Sequence, residues 1–134
     1  MSSEFYEHPI QVKPGHIDEM NHVNNVIYLQ WVQDAAYAHW MAKAPQTIRD
    51  QYKWVVLKHE IEYKSPAFVH EELIAKTWVY DYSGVKSTRV VQIFRKTDNK
   101  LLVEARTLWC LLGMNNRPTR ITDDIVRVFK PEKP

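Results

Sequence analysis

The chain has 134 residues, of which 45% are apolar and 25% charged, and its net charge is +2. These are the values of one folded domain, and they exclude a two-domain enzyme, a disordered chain and a membrane-spanning bundle. The single cysteine, Cys110, cannot form an internal disulfide, and neither a signal-like start nor an apolar run of about 18 residues is present, so a cytoplasmic setting is expected.

A short strand is expected around Pro9 to Lys13. Val26 to Ala42 contains neither Gly nor Pro and reads as a helix. At 100° per residue Gln30, Gln33 and Asp34 form one narrow polar stripe and apolar groups cover the rest, so the helix should be wrapped by protein. Asn24 and Asn25 offer an N-cap, and Pro45 is a stop signal. Val55, Leu57, His59, Ile61 and Tyr63 then alternate with Val56, Lys58, Glu60, Glu62 and Lys64, the pattern of a half-buried strand. Further strands are expected at about residues 72–80, 85–95 and 101–112, with Asp81-Tyr82-Ser83-Gly84 and Thr97-Asp98-Asn99-Lys100 as hairpin turns. In the last strand Leu101, Val103, Ala105, Thr107, Trp109 and Leu111 share a face apolar enough for a central position, and Cys110 reads as a small buried hydrophobe. The order predicts an α+β domain, residues 1–134. A curled antiparallel sheet of about five strands, the last four in a meander, wraps one long buried helix. Its core spans about residues 5–129, and the tail 130–134 is expected to fray.

Only three glycines occur, so the phosphate-cradling loops of nucleotide enzymes are absent, as is the Gly-x-Ser-x-Gly elbow of serine hydrolases. Lys and Arg are dispersed, which argues against nucleic acid as a partner. Polar residues concentrate in His16-Ile17-Asp18-Glu19-Met20-Asn21-His22-Val23-Asn24-Asn25. Asp18 precedes the helix, and the N–H groups near Asn25 and Val26 belong to its first turn. Those donors lack intrahelical acceptors and carry the positive end of the helix dipole, the properties of an oxyanion site. A second reading makes His8, His16, Asp18 and His22, with a distant His70, ligands of a non-haem iron oxygenase. The long apolar helix weighs against it, because that chemistry usually resides in a larger all-β jelly roll. No metal and no cofactor are expected.

Asp18, His22-Val23-Asn24-Asn25 and Tyr28, followed by Leu29-Gln30-Trp31, resemble the motif of the hotdog-fold thioesterases of the 4-hydroxybenzoyl-CoA thioesterase type, including their acyl-ACP relatives. The likeness continues through Ile61-Glu62-Tyr63-Lys64-Ser65-Pro66-Ala67 and the later strands. Two departures stand out: Asn21 where Gly is common, and His70-Glu71 where a Gly-Asp turn is common. The resemblance implies a hotdog fold and an acyl-CoA thioesterase. Asp18 is then the general base or nucleophile, and the N–H of Asn25, with that of Val26, holds the oxyanion. His22 and Asn24 orient water, Asp18 or the loop. A thiolate leaving group, with a conjugate-acid pKa of about 8.5, needs no strong general acid. Tyr28, Trp31 and Val32 are candidates for the acyl pocket wall. Lys64, Ser65, Lys86, Ser87 and Thr88 are candidates for contacts to the phosphate-bearing half of the substrate. One protomer wrapping one helix leaves scant room for a pocket, so the resemblance further implies a shared site in a homodimer that pairs into a tetramer, with no nucleic acid or membrane partner. An acyl-ACP thioesterase, or a module that binds acyl thioesters without cleaving them, would carry the same motif. The Asp-x-Asn-Pro-x-x-His pattern of hydratases is missing.

Overall fold

Helix α1 (Asn25–Lys43) buries Tyr28, Trp31, Val32, Ala35, Ala36 and His39, which recur every three or four residues along one face. That face lies in the curl of a five-stranded antiparallel sheet: β1 (Tyr6–Gln11), β2 (Lys53–Tyr63), β3 (Glu72–Ser83), β4 (Lys86–Arg95) and β5 (Leu101–Leu112). The structure, a computed structural model, describes residues 4–133. Asn24 caps α1 by accepting the Val26 N–H at 3.1 Å, and the helix ends at Ala44, just before Pro45. Among the described residues no helix is long and apolar enough to cross a membrane.

The strand order is β1-β3-β4-β5-β2, which corrects the expected meander: β3, β4 and β5 follow one another, but β2 lies outside β5. The cause is the connection after β2, too long for a tight hairpin. It leaves with Lys64 N–H on Leu102 O and arrives with His70 N–H on Val12 O, so it crosses the end of the sheet to reach the far side. The even alternation of β2 is also corrected. A bulge between Val56 and Lys58 shifts the register, so Val55 and Leu57 turn outward while His59 and Ile61 face in. Two short helices went unforeseen, α2 (Gln46–Arg49) and α3 (Asp123–Phe129), the second capped by Thr122. The tail expected to fray is tied down instead. Glu132 N–H and Lys133 N–H donate to Val79 O and Tyr80 O, and Trp78 Nε1 donates to Glu132 at 2.7 Å. Pro134 lies outside the described residues.

The core divides along α1. Tyr28, Trp31, Val32 and Ala35 pack with Leu73, Ala75, Val91, Ile93, Leu102 and Val103. Beyond them Ala44, Ile48, Val79, Leu111, Ile125 and Phe129 form a second cluster. A buried polar triplet completes the interior: Arg89 Nη1 donates to His39 Nδ1 at 2.8 Å and to Thr77 Oγ1 at 3.1 Å, and Thr77 donates to Val90 O. The sheet covers one side of α1 only. Val26, Tyr37 and Met41, part of the surface expected to be wrapped, are exposed.

Two consequences are testable. The Tyr28 hydroxyl accepts the Ala67 N–H at 2.9 Å in a buried setting, so Tyr28→Phe should lower stability by about 1–3 kcal/mol in urea denaturation. Burial, then Arg89 and Lys43, pushes the His39 pKa down to about 3 from its ordinary 6.5. The unfolded chain therefore takes up this proton near pH 6.5 and the folded one only near 3, so stability should decline as pH falls through that window. The urea midpoint of His39→Gln should decline less steeply than that of the wild type between the same limits.

Candidate active site

Before α1 the chain folds back on itself. Asn24 N–H donates to His16 O and Asp18 N–H to His22 O, both at 2.9 Å, and Ile17 bridges Val23 between them. The reversal needs a left-handed residue, and Asn21 supplies it at φ 62°. Asn is among the few residues other than Gly that visit this region readily. His70 takes φ 70°. Both departures from the family motif thus fall where a glycine would be at ease, and the backbone keeps the glycine-like conformation with other residues.

That turn aims Asp18. Its Oδ1 accepts the N–H of Met20 at 2.8 Å and of His22 at 3.3 Å, while Oδ2 has no hydrogen-bond partner among the described residues. The residue is half-buried. The donors of α1 divide in the same way. The expectation that Val26 shares an oxyanion site changes, because its N–H is held by Asn24 Oδ1. The Asn25 N–H has no acceptor among the described residues, so it is the open donor at the positive end of the helix. The Val26 side chain is 69% exposed beside it. The half-buried His22 imidazole packs edge-on against Phe68 and makes no side-chain hydrogen bond within the described chain.

Tyr28, Trp31 and Val32 are core residues, 3%, 6% and 1% exposed, and the Tyr28 hydroxyl is spent on Ala67. They support the floor beneath the Asp18 turn and do not line an open pocket within one chain. Lys64 and Ser65 lie at the same end of the sheet, both N–H groups on Leu102 O, with Lys64 Nζ 3.4 Å from Glu62. Lys86, Ser87 and Thr88 do not. Arg95, at the other end of β4, donates to Pro66 O near the Asp18 turn, and β4 is about 30 Å long. Within one chain, then, Asp18, His22, Asn24, Asn25, Val26, Lys64 and Ser65 come together, and Lys86, Ser87 and Thr88 sit at the opposite end. His8, His16, Asp18, His22 and His70 form no metal-binding group, and no cluster of three His, Cys, Asp or Glu side chains suited to a metal occurs among the described residues.

The scant room expected in one protomer is corrected. A cavity of about 460 Å³ opens beside the C-terminal half of α1, between Trp40, Trp54, Arg89, Trp109, Ile125 and Phe129. Sequence reasoning missed Arg89 as a functional candidate, although the alternation of β4 places Ser87, Arg89, Val91 and Ile93 on one buried face.

The sequence profile of the thioesterase-like superfamily matches residues 12–129. Among solved structures the chain is similar to Slr0204, a 1,4-dihydroxy-2-naphthoyl-CoA thioesterase from Synechocystis, at 14% identity and a TM-score of 0.82, covering 95% of this chain and 96% of that one. It is similar to SAV2348 from Staphylococcus aureus, solved in complex with CoA, at 15% identity and a TM-score of 0.82, covering 100% and 89% of the two chains. It is also similar to an acyl-ACP thioesterase from Bacteroides thetaiotaomicron, at 19% identity and a TM-score of 0.82, covering 97% of this chain and 54% of that one. The fold is the α+β hotdog fold of these structures. No curated protein matches the chain.

The cap is the part of this site whose strength can be measured directly. Asn24→Ala removes the acceptor of the Val26 N–H and should cost about 1 kcal/mol in thermal or urea unfolding.

Proposed function

Because the chain belongs to the thioesterase-like superfamily, we propose that it is a thioester hydrolase, that its substrate is an acyl-CoA, and that Asp18 and the N-terminus of α1 perform the cleavage. One observation carries the assignment of residues. Two backbone N–H groups hold Oδ1 of Asp18 and leave Oδ2 open, at the end of the molecule where the Asn25 N–H is also open. A base and an oxyanion donor are the two parts the reaction needs. Oδ2 takes a proton from water as the water oxygen bonds to the thioester carbonyl carbon, or bonds to that carbon itself. The carbonyl oxygen becomes an oxyanion against the Asn25 N–H. The C–S bond then breaks. On the water route the thiolate takes the proton back from Oδ2 as it leaves. On the direct route it leaves an Asp18–acyl anhydride that water hydrolyses to the free acid and the Asp18 carboxylate, the second proton of that water going to the thiolate. His22 borders the turn and orients the water, and Asn24 holds the first turn of the helix in shape.

The substrate requires a second protomer. β2 is a sheet edge paired on one side only, with Val55, Leu57 and Tyr63 exposed along it, and α1 leaves Val26, Tyr37 and Met41 uncovered beside it. Antiparallel pairing of two β2 edges would set the start of one β2 against the end of the other. The partner subunit's Lys86, Ser87 and Thr88 would then approach the end that carries Asp18, Lys64 and Ser65, and their cationic and hydroxyl groups suit the phosphates of CoA. The CoA bound in the Staphylococcus aureus structure supports CoA as the carrier. The acyl-ACP thioesterase from Bacteroides thetaiotaomicron keeps a protein carrier as the second reading. Nothing in the scheme calls for a metal, and the setting is that of a cytoplasmic homodimer or its paired tetramer.

A panel of acyl-CoAs followed by free-thiol release should show turnover in the wild type. Asp18→Ala and Asp18→Asn should lower kcat by about 10²–10⁴-fold. Undiminished rates in both variants, or tight acyl-CoA binding with no thiol released across the panel, would remove the catalytic assignment. Light scattering should give the mass of at least two chains, and a monomer mass at working concentration would refute the shared site.

A further inference from the structure

We infer that the cavity at the C-terminal half of α1 is a binding site for an aromatic organic acid, with Arg89 as the receptor for its carboxylate. The first ground is a missing counter-charge. Arg89 is 7% exposed, yet no Asp or Glu pairs with it among the described residues. Among the described residues its only side-chain hydrogen bonds run from Nη1 to His39 Nδ1 and Thr77 Oγ1, both neutral acceptors. Accepting from Arg89 fixes the imidazole as the Nε2–H tautomer, so His39 adds no opposite charge. A buried guanidinium without a carboxylate is costly to maintain, and its remaining donors, on Nε and Nη2, have no protein acceptor among the described residues. Burial lowers the Arg89 pKa only to about 10, so the group is charged at neutral pH.

The second ground is where that charge lies. Arg89 is on the wall of a cavity of about 460 Å³, within the roughly 300–1,000 Å³ range of small-molecule sites. Aromatic rings make up much of the wall, among them Trp40, Trp54, Trp109 and Phe129, with Tyr37 exposed at the rim. Arg49, Asp50 and Lys53 also line it, Asp50 making no salt bridge to Arg89. Trp109 Nε1 is a second buried donor left without an acceptor. Stacked or edge-on ring contacts would hold a flat apolar body, and a guanidinium offers two parallel N–H groups to a carboxylate. An apolar ligand alone would leave Arg89 uncompensated, and a small inorganic anion would leave the aromatic volume empty. An acid on an aromatic ring satisfies both.

This site is not the Asp18 turn of the same chain, which sits at the other end of α1, and the inference does not depend on thioester hydrolysis. The carboxylate could belong to a free acid or to the far end of an acyl group still joined to its carrier.

The probes are 2-naphthoate and 2-naphthamide, titrated calorimetrically into the full-length protein at pH 7.5. The acid should bind at least tenfold more tightly than the amide, and Arg89→Met should bring the acid down to the amide's affinity. Val126→Trp, which fills the cavity from its wall, should weaken both probes. Neither probe carries a thioester, so their binding is read apart from any success or failure of the catalytic assignment. Equal affinity for acid and amide, no binding of the acid to the wild type, or full binding by folded Arg89→Met would overturn the inference. Were Arg89→Met not to fold, the ratio of acid to amide decides. Competition by S-(4-carboxybenzyl)-CoA, a thioether that cannot be hydrolysed, would assign the site to an acyl group on its carrier. Independence from it would assign the site to a free acid. Either result keeps Arg89 as the receptor.

Discussion

The burial of one face of α1 in a curled sheet organises the molecule. Tyr28, Trp31, Val32, Ala35, Ala36 and His39 all point into the sheet, and once they do the two helix ends have fixed neighbours. The N-terminal end meets the link that crosses from β2 to β3, because Val23 and Tyr28 both bond to Ala67. The C-terminal half meets the start of β2 and α3, where Trp40 stacks on Phe129 and stands edge-on to Trp54. Those packing demands differ. The first end is closed tightly enough to hold a polar turn in one conformation, whereas the second is built from rings too large to close, and a cavity is left.

The Asp18 turn was legible because its information is local. A carboxylate, a reversal and a helix cap within a few residues depend on neighbours in sequence, and the hydrogen bonds of Asp18 reach no farther than His22. Asn21 stood out in the sequence only as a departure from the family motif, and the left-handed region it occupies, which Asn accepts, became visible only in the fold. The helix was legible for the same reason: its periodicity, its N-cap at Asn24 and its stop signal at Pro45 lie in one stretch. The competition for the Val26 N–H was less visible, because a cap and an oxyanion donor look alike in sequence until one of them is seen to be occupied.

What escaped the sequence is non-local. The place of β2 beside β5 depends on how far the connection 64–71 must travel, and its hydrophobic pattern would suit a meander equally well. The bulge at Leu57 turns Val55 and Leu57 outward although both read as core. Arg89 looks like an ordinary strand charge until the inward phase of β4 is known. In the fold it is the one guanidinium set among Thr77, His39 and Phe129. Helix α3 was missed because its segment is short, although Thr122 and the acidic pair Asp123 and Asp124 form a good helix start.

The separation of the two ends also explains why a sheet edge matters to the chemistry. A single chain holds its open carboxylate at the N-terminal end of α1 and the cavity with Arg89 at the C-terminal half, with a packed core between them. No rearrangement short of unfolding joins them within the chain. Symmetry can, because antiparallel pairing of the β2 edges reverses the direction of one protomer and sets unlike ends side by side. Exposed Val55, Leu57 and Tyr63 on that edge, and Tyr37 and Met41 on the neighbouring helix face, would be buried by the same step. The apolar surface that drives two copies together would thereby be the surface that brings a carboxylate of one within reach of the binding groups of the other.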